Sequence, residues 1–196
     1  MGSLRHFDLK YYIEKYNIEF LIETGTYKGD AVAYALQFNL KNIYSVELIE
    51  NFFHESNNRF KNNNRVTIIN NSSKNGLIEI FSKYSIGKCI FWLDAHLPNL
   101  YQNKYSSDYK NKKELLIPLE EELKVIVQNK EFSNDVFIID DLRIYERGNF
   151  RNGEWLKVIE SGHGGIEFIF NLLEKTHTIQ RIYDDEGYIL CLPKII

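Results

Sequence analysis

Short apolar runs alternate with longer amphipathic segments along most of the chain. The runs predict strands at 20–25, 42–48, 65–72, 88–96, 135–141, 178–183 and 187–192. Apolar positions at helical spacing predict helices over 30–38, 50–60, 76–84, 115–130 and 165–173. Alternation of this kind is typical of βαβ units wound around a parallel sheet.

The order of these elements predicts an α/β fold with a Rossmann-like, doubly wound, mostly parallel sheet of seven strands. The segment 88–96 is strongly apolar, which favours a central strand. The last two strands, 178–183 and 187–192, flank a turn at 184–187 and should form an antiparallel pair at the end of the chain.

One domain accounts for residues 1–196, since chains of this length usually keep a single core. Two segments interrupt the regular pattern. Residues 97–113 are polar and rich in Tyr and Lys, and residues 142–165 combine arginines with the sequence S-G-H-G-G. Both follow strands at the sheet edge where open α/β folds bind ligands, so we expect both loops to face the substrate.

Composition and charge limit the partners and the cellular compartment that we expect for the protein. The formal net charge is −3, from 27 acids against 24 bases, which argues against a nucleic-acid partner. The apolar runs are shorter than the ~20 residues that span a bilayer, and the N-terminus lacks the apolar core of a signal peptide. We therefore expect a cytoplasmic protein without a membrane partner, in which Cys89 and Cys191 are buried and reduced.

The loop after the first strand carries the first candidate chemistry. It reads Glu23, Thr24, Gly25, Thr26, then Tyr-Lys and Gly29, an E-x-G-x-x-x-G pattern. Gly25 permits a tight turn and close approach of a ligand, and the following helix presents unpaired N–H groups. The pattern is neither the G-x-G-x-x-G fingerprint nor a P-loop. Alone, it is equally consistent with an ordinary β-turn-α connection.

An acid at the end of the second strand strengthens this interpretation. Glu47 stands where a carboxylate can accept hydrogen bonds from both hydroxyls of a ribose. Glu47 alone is also consistent with a solvated acid at a strand end. Together, the loop and Glu47 favour a cofactor that contains a nucleoside.

Over residues 18–192 the sequence resembles the class I S-adenosylmethionine-dependent methyltransferases, which carry an acidic-x-Gly-x-x-x-Gly loop. The resemblance implies that the loop 23–29 wraps the methionine end of S-adenosylmethionine and that Glu47 binds its ribose. It also implies that Asn71 and Ser72 contact the adenine edge, although the family often has Asp there.

Acids also end the fourth and fifth strands. Asp94 follows the fourth strand, and Asp140 and Asp141 follow the fifth. Neighbouring strands would bring these carboxylates to one rim, where they would repel one another. A divalent cation with oxygen ligands would relieve the repulsion. Helix capping, or pairing with Arg143, is the alternative.

The acids are similar in pattern to those of the magnesium-dependent O-methyltransferases of the catechol and macrolide-sugar kinds. That resemblance implies that Asp94, Asp140 and Asp141 bind Mg²⁺ or another divalent cation, and that Asp94 also adjoins the cofactor. The catechol kind places a Lys nearby as the base, whereas His96 is the nearest candidate here. The L-D-A-H form resembles a bacterial group of methyltransferase-like proteins from polysaccharide and antibiotic gene clusters.

We therefore expect a metal-assisted O-methyltransferase acting on a small hydroxylated or phosphorylated acceptor, such as a sugar or phosphoryl group in surface-polysaccharide biosynthesis. Either His96 or Asp94 can serve as the base. Arg143, Arg147 and His163 are candidate contacts for an anionic acceptor, because Arg binds planar anions and glycines around a His can form an anion nest.

Other functions remain open at this point. A metal-dependent hydrolase could use the same three acids, but it would leave Glu23 and Glu47 without a role. A non-catalytic nucleotide-binding module on the same fold would be expected to have a broken loop or acid trio, and both are intact. A methyltransferase for nucleic acid or protein is disfavoured by the net charge and by the lack of an N-P-P-Y motif. A homodimer is compatible with the sequence but not required by it.

Overall fold

The computed structural model describes residues 3–96, 113–151, 153 and 165–194. Its centre is a sheet of seven strands in the order β3-β2-β1-β4-β5-β7-β6. The strands are β1 (Phe20–Thr24), β2 (Asn42–Glu47), β3 (Val66–Asn70), β4 (Cys89–Leu93), β5 (Val136–Ile139), β6 (His177–Ile182) and β7 (Tyr188–Pro193). Strands β1 to β5 run parallel, and β7 is antiparallel to both β5 and β6. The predicted fold class is confirmed.

Helices cover both faces of the sheet. They are α1 (Leu9–Tyr16), α2 (Asp30–Ala35), α3 (Glu50–Phe60), α4 (Ser73–Lys83), α5 (Lys113–Leu116), α6 (Leu119–Asn129) and α7 (Glu167–Leu173). Short 3-10 helices lie at Leu4–His6 and Leu142–Ile144. Side chains of α1, α2 and α3 pack in one apolar cluster, and those of α4, α6 and α7 pack in the other.

The central strands separate these two clusters by simple alternation. In β4, Cys89, Phe91 and Leu93 point to the cluster with α4 and α6, while Ile90 and Trp92 point to the opposite cluster. All five residues are buried, which explains why the run is apolar throughout rather than alternating with polar residues. Both cysteines are free and buried, as expected.

The structure corrects two details of the predicted elements. The helix expected over 115–130 is divided into α5 and α6, because Pro118 stands at the N-cap of α6 and lacks the N–H that a continuous helix needs. Helix α1 was missed altogether. Within the described part of the chain, no helix is both long and apolar enough to cross a membrane.

Candidate active site

The loop after β1 is fastened to both neighbouring strands. The Gly25 N–H donates to the Val46 carbonyl at 2.9 Å, and the Asp94 N–H donates to the Thr24 carbonyl at 3.1 Å. Gly25 has φ +86°, and a Cβ at this position would lie 2.4 Å from the Asp94 carbonyl oxygen. Only glycine fits here. The close approach that the sequence predicts for Gly25 is therefore, in the structure, a close approach to the backbone at the end of β4.

Glu23 lies beneath this loop rather than on its surface. Its Oε2 accepts a hydrogen bond from Ser45 Oγ on β2, and Ser45 Oγ lies 2.5 Å from Thr26 Oγ1. All three side chains are buried. Burial raises the pKa of Glu23 to about 8; the Ser45 hydroxyl opposes this shift, while the charge of Glu47 adds to it. Glu23 thus anchors the loop to β2, and the loop continues to Gly29 at the N-cap of α2.

Glu47 is held at the end of β2 by two backbone groups. Its Oε2 accepts from the Tyr27 N–H at 2.7 Å, and its Oε1 accepts from the Ile49 N–H at 2.7 Å. Burial raises the pKa of Glu47, and the two N–H groups partly offset the shift. Each carboxylate oxygen keeps a second lone pair, so Glu47 can still accept two hydroxyl groups.

The predicted adenine contacts lie next to Glu47. The Asn71 N–H donates to the Glu47 carbonyl at 3.1 Å, and Asn71 Oδ1 accepts from the Ser72 N–H at 2.9 Å. The Ser72 hydroxyl caps α4 by accepting from the Asn75 N–H. Both side chains are half-buried, and their hydrogen bonds fix the turn between β3 and α4.

A second group of polar side chains lies at the ends of β4 and β5. The ring of His96 stands between two carboxylates: Nδ1 lies 3.4 Å from Asp94 Oδ1, and Nε2 contacts Asp141 Oδ2. The Asp140 N–H donates to the Leu93 carbonyl, which joins the two strand ends. Asp94, His96, Asp140 and Asp141, which we call the acid–His cluster, are therefore brought together as predicted.

Burial and the charges of neighbouring members shift the pKa values of all four residues of the cluster. Burial alone would lower the pKa of His96, but the charges of Asp141, Asp94 and Asp140 outweigh burial and raise it to about 10. Burial and the charge of Asp140 raise the pKa of Asp94 well above its usual value. Burial and the charge of Asp141 raise the pKa of Asp140 to about 7. Burial would raise the pKa of Asp141 as well, but His96 and Arg143 lower it.

Arg143 belongs to this cluster rather than to an open substrate surface. It is buried, with Nε 2.8 Å from Asp141 Oδ1 and Nη2 3.1 Å from Glu186 Oε1. Asp141 itself has φ +56°, a left-handed conformation that turns the chain into the 3-10 helix. Pairing with Arg143, the alternative to a metal site for these acids, is thus what the structure shows for Asp141.

Arg143, Arg147 and Arg151 follow β5 at intervals of four residues, which would place them on one face of a helix, but the structure has no such helix over the described residues there. The 3-10 helix ends at Ile144; Arg147 is exposed, and Arg151 is exposed with Nη1 3.5 Å from Asp185 Oδ1. His163 and most of the loop 142–165 lie outside the described residues, as does nearly all of 97–113. Their predicted contact with the substrate stays a prediction.

Sequence reasoning missed Glu122. This side chain lies on the buried face of α6 and is only 1% exposed. Burial raises its pKa to about 7, while Ser73 and Thr24 are near enough to lower it slightly. Within the described residues, Glu122 Oε1 and Thr24 Oγ1 are the buried side-chain atoms that lack a hydrogen-bond partner. The run Glu120-Glu121-Glu122 suggests a solvated surface, and only the helical phase with Leu119, Leu123 and Ile126 shows that Glu122 points inward.

Solved methyltransferase structures share this architecture. An O-methyltransferase from Bacillus cereus, in complex with S-adenosylhomocysteine, matches with a TM-score of 0.65 and 12% identity, over 99% of this chain and 82% of its own. A candidate caffeoyl-CoA O-methyltransferase from Staphylococcus aureus gives 0.58 and 15%, over 99% and 85%. An rRNA methylase from Streptococcus thermophilus gives 0.55 and 11%, over 100% and 99%. The chain has the class I methyltransferase fold.

These similarities define the fold and leave the acceptor open, because the matched proteins are named for different acceptors. No protein-family model and no curated protein sequence matches the chain. The chemistry of this methyltransferase fold therefore has to be argued from its own residues.

The residues at the ends of β1 and β2 suit S-adenosylmethionine. Glu47 can accept two ribose hydroxyls, and the tight loop at Gly25 presents its backbone at the same edge. Two buried oxygens have no hydrogen-bond partner in the described residues: Thr24 Oγ1, in the loop itself, and Glu122 Oε1, close to Thr24. All these groups are acceptors or backbone dipoles, which suit the hydroxyls and ammonium of this cofactor.

The acid–His cluster does not suit Mg²⁺ in the same way. Among the described residues, no three carboxylate, imidazole or thiol groups converge on a point that could hold a metal ion. Both oxygens of Asp141 already face cationic partners, Arg143 and His96, and an imidazole is not an oxygen ligand. The metal site implied by the resemblance is therefore not formed by this arrangement, in which two cationic side chains provide the neutralising charge.

Proposed function

We propose that the protein is an S-adenosylmethionine-dependent methyltransferase that methylates an oxygen of a small acceptor. The bound cofactor would supply a methyl group made electrophilic by its sulfonium. One observation carries the proposal: the loop at Gly25, which fits a cofactor, is hydrogen-bonded to the strand end that bears the acid–His cluster. A cofactor cradle and a proton-accepting cluster thus share one rim.

On the cofactor side, Glu47 is preorganised. The two N–H groups on its carboxylate fix its orientation before any ligand arrives, so little conformational entropy is lost on binding. Tyr27 donates one of these N–H groups, and its exposed ring packs against Phe52 at 4.5 Å between centroids. The ring and the carboxylate together border the place where the nucleoside would lie.

On the acceptor side, we assign the proton-accepting role to Asp94. Both nitrogens of His96 face carboxylates, an arrangement that favours an imidazolium donating at each end. The side chain of Asp94 is 24% exposed, against 3% for Asp141, so Asp94 is the carboxylate that an acceptor hydroxyl can reach. His96 would then orient Asp94, and burial, which raises the pKa of Asp94, would make its carboxylate a stronger base. Asp94 would take the proton as the acceptor oxygen displaces the thioether S-adenosylhomocysteine from the methyl group.

For the acceptor we propose a small hydroxylated molecule such as a sugar, or a phosphorylated one. The support is the L-D-A-H resemblance and the net charge of −3, which disfavours a nucleic acid. An anionic acceptor would draw on the exposed Arg147 rather than on the buried Arg143. The metal requirement expected from the sequence is not part of this mechanism, since no described set of groups converges on a metal position.

Replacing Glu47 tests the cofactor site. Glu47→Gln should weaken S-adenosylhomocysteine binding about tenfold or more in titration calorimetry, because hydrogen bonds to a charged group contribute about 1.5–3 kcal/mol. Glu50→Gln is the matched control: Glu50 lies three residues on, in the first turn of α3, with 78% of its side chain exposed. Equal affinities for Glu47→Gln and Glu50→Gln would show that Glu47 does not bind the cofactor.

A further inference from the structure

Glu122 occupies a position that usually belongs to an apolar residue. Its neighbours on the inner face of α6, Leu119, Leu123 and Ile126, are all buried in the core between α6 and the sheet. A carboxylate among them is costly to bury unless it has a partner. Natural chains keep such costs mainly at functional sites.

The surroundings of Glu122 meet that cost only in part: burial raises its pKa to about 7 although Ser73, Thr24 and the charge of His96 lower it. Glu122 Oε1 and Thr24 Oγ1 are both buried without a hydrogen-bond partner in the described residues, at 1% and 0% residue exposure. Thr24 and Ser73 both approach the carboxyl. A hydroxyl that can accept as well as donate, beside a carboxylate oxygen with free lone pairs, can receive a group with several N–H bonds.

The position of this pair points to its ligand. Thr24 is the last residue of β1 and immediately precedes Gly25 in the loop that fits the cofactor. His96 and Tyr145 are both close enough to Glu122 to interact with it electrostatically, so the carboxyl lies near the acid–His cluster as well as near the loop. In the proposed function, the amino-acid end of the cofactor would lie in this region.

We propose that Glu122 and Thr24 receive the α-ammonium group of S-adenosylmethionine. The inference rests on the proposed function and specifies which side chains bind the amino-acid end of the ligand. An ammonium has three donors, enough to satisfy both orphan acceptors at once. Its positive charge compensates the buried carboxylate, which a neutral donor such as water would not do.

Two probes separate this subsite from the rest of the cofactor site. S-adenosylhomocysteine carries the ammonium, whereas 5′-deoxy-5′-methylthioadenosine has the same nucleoside and thioether without the amino acid. In titration calorimetry, Glu122→Gln should weaken S-adenosylhomocysteine about tenfold or more, equal to ~1.4 kcal/mol, and leave methylthioadenosine unchanged.

Glu120→Gln is the matched control, because Glu120 lies in the same turn with 52% of its side chain exposed, 2.9 Å from Lys124 Nζ. It should change neither affinity. If Glu122→Gln does not fold, Thr24→Val keeps the carboxylate, removes the second acceptor, and should also weaken S-adenosylhomocysteine selectively.

Unchanged binding of S-adenosylhomocysteine by Glu122→Gln, or equal losses for both probes, would overturn the inference while leaving the proposed function intact. A wild-type protein that binds neither probe would instead overturn the proposed function itself. The apo protein gives an independent readout: Glu122→Gln should melt at the same or a higher temperature, because it removes a carboxyl group whose burial is compensated only in part. A clearly lower melting temperature would indicate a structural role.

Discussion

Buried carboxylates dominate the chemistry of individual residues along the rim. Glu23, Glu47, Glu122 and Asp140 all have raised pKa values, and burial is the main cause for each. Burying these acids destabilises the free protein, and ligand groups that donate hydrogen bonds to Glu47 and Glu122 would offset part of that cost. Two of these four acids, Glu47 and Glu122, are residues that we assign to cofactor binding, whereas Glu23 anchors the loop to β2.

Glu23 provides a direct test of this cost. Its pKa is raised from 4.5 to about 8 in the folded state, so the folded protein binds this proton more tightly than the unfolded chain. The resulting stability is present below about pH 4.5 and is lost as the pH rises through 8. Glu23→Gln should therefore be more stable than the wild type by more than ~1 kcal/mol at pH 8, and by less at pH 5.

Thermal melting between pH 5 and pH 8.5 checks this prediction, with Glu14→Gln as the control because the Glu14 side chain is 68% exposed. Parallel curves for the wild type and Glu23→Gln would show that Glu23 has no raised pKa.

Sequence reasoning located residues at strand ends more reliably than residues inside helices. Glu47, Asp94 and Asp140 were found because the end of a buried strand in a parallel sheet fixes where the next side chains lie. Glu122 was missed because a run of three acids conceals which one faces the core. The pairing of Arg143 with the acids at the strand ends was only an alternative in the sequence, because it depends on the left-handed turn at Asp141 and on Glu186, 43 positions further along the chain.

At the scale of helices and strands, the residues that cap helix ends account for most of the differences between prediction and structure. Helix α4 begins at Ser73 rather than at residue 76, because the Ser72 side chain caps it. Helix α1 carried readable signals: Asp8 caps it by accepting from the Tyr11 N–H at 3.0 Å, and Asn17 ends it with φ 54°. Leu9 and Tyr16 then share its buried side, at helical spacing.

The contact between α4 and β2 makes a prediction at this scale. A Cβ on Gly76 would lie 2.4 Å from Val46 Cγ1, so the helix approaches the strand more closely than any larger residue allows. Gly76→Ala should destabilise the protein by about 1–3 kcal/mol, although Ala is otherwise the better helix former.

Urea denaturation measures this loss. Adding Val46→Ala should reduce the additional cost of Gly76→Ala, because it removes the methyl groups that would clash. A Gly76→Ala variant as stable as the wild type would contradict the close packing.

At the scale of the whole molecule, the site lies where the connecting helices change from one face of the sheet to the other. Strands β1 and β4 are neighbours, but α2 after β1 packs on one face of the sheet and α6 after β4 packs on the other. The chain segments that leave these two strands therefore run to opposite faces of the sheet, an arrangement that places a crevice at the carboxyl edge. Glu47 borders the crevice from β2, and the acid–His cluster borders it from β4 and β5. This placement could be predicted because it depends only on strand order.

Titration of the wild-type protein with S-adenosylhomocysteine tests the central claim most directly. We predict saturable binding at one site per chain, with a micromolar dissociation constant and an increase in melting temperature. Binding should persist with a chelator present, since the groups assigned to the cofactor need no metal. Absence of both heat and a melting shift, at ligand concentrations well above the micromolar range, would contradict the assignment of this fold to methyl transfer.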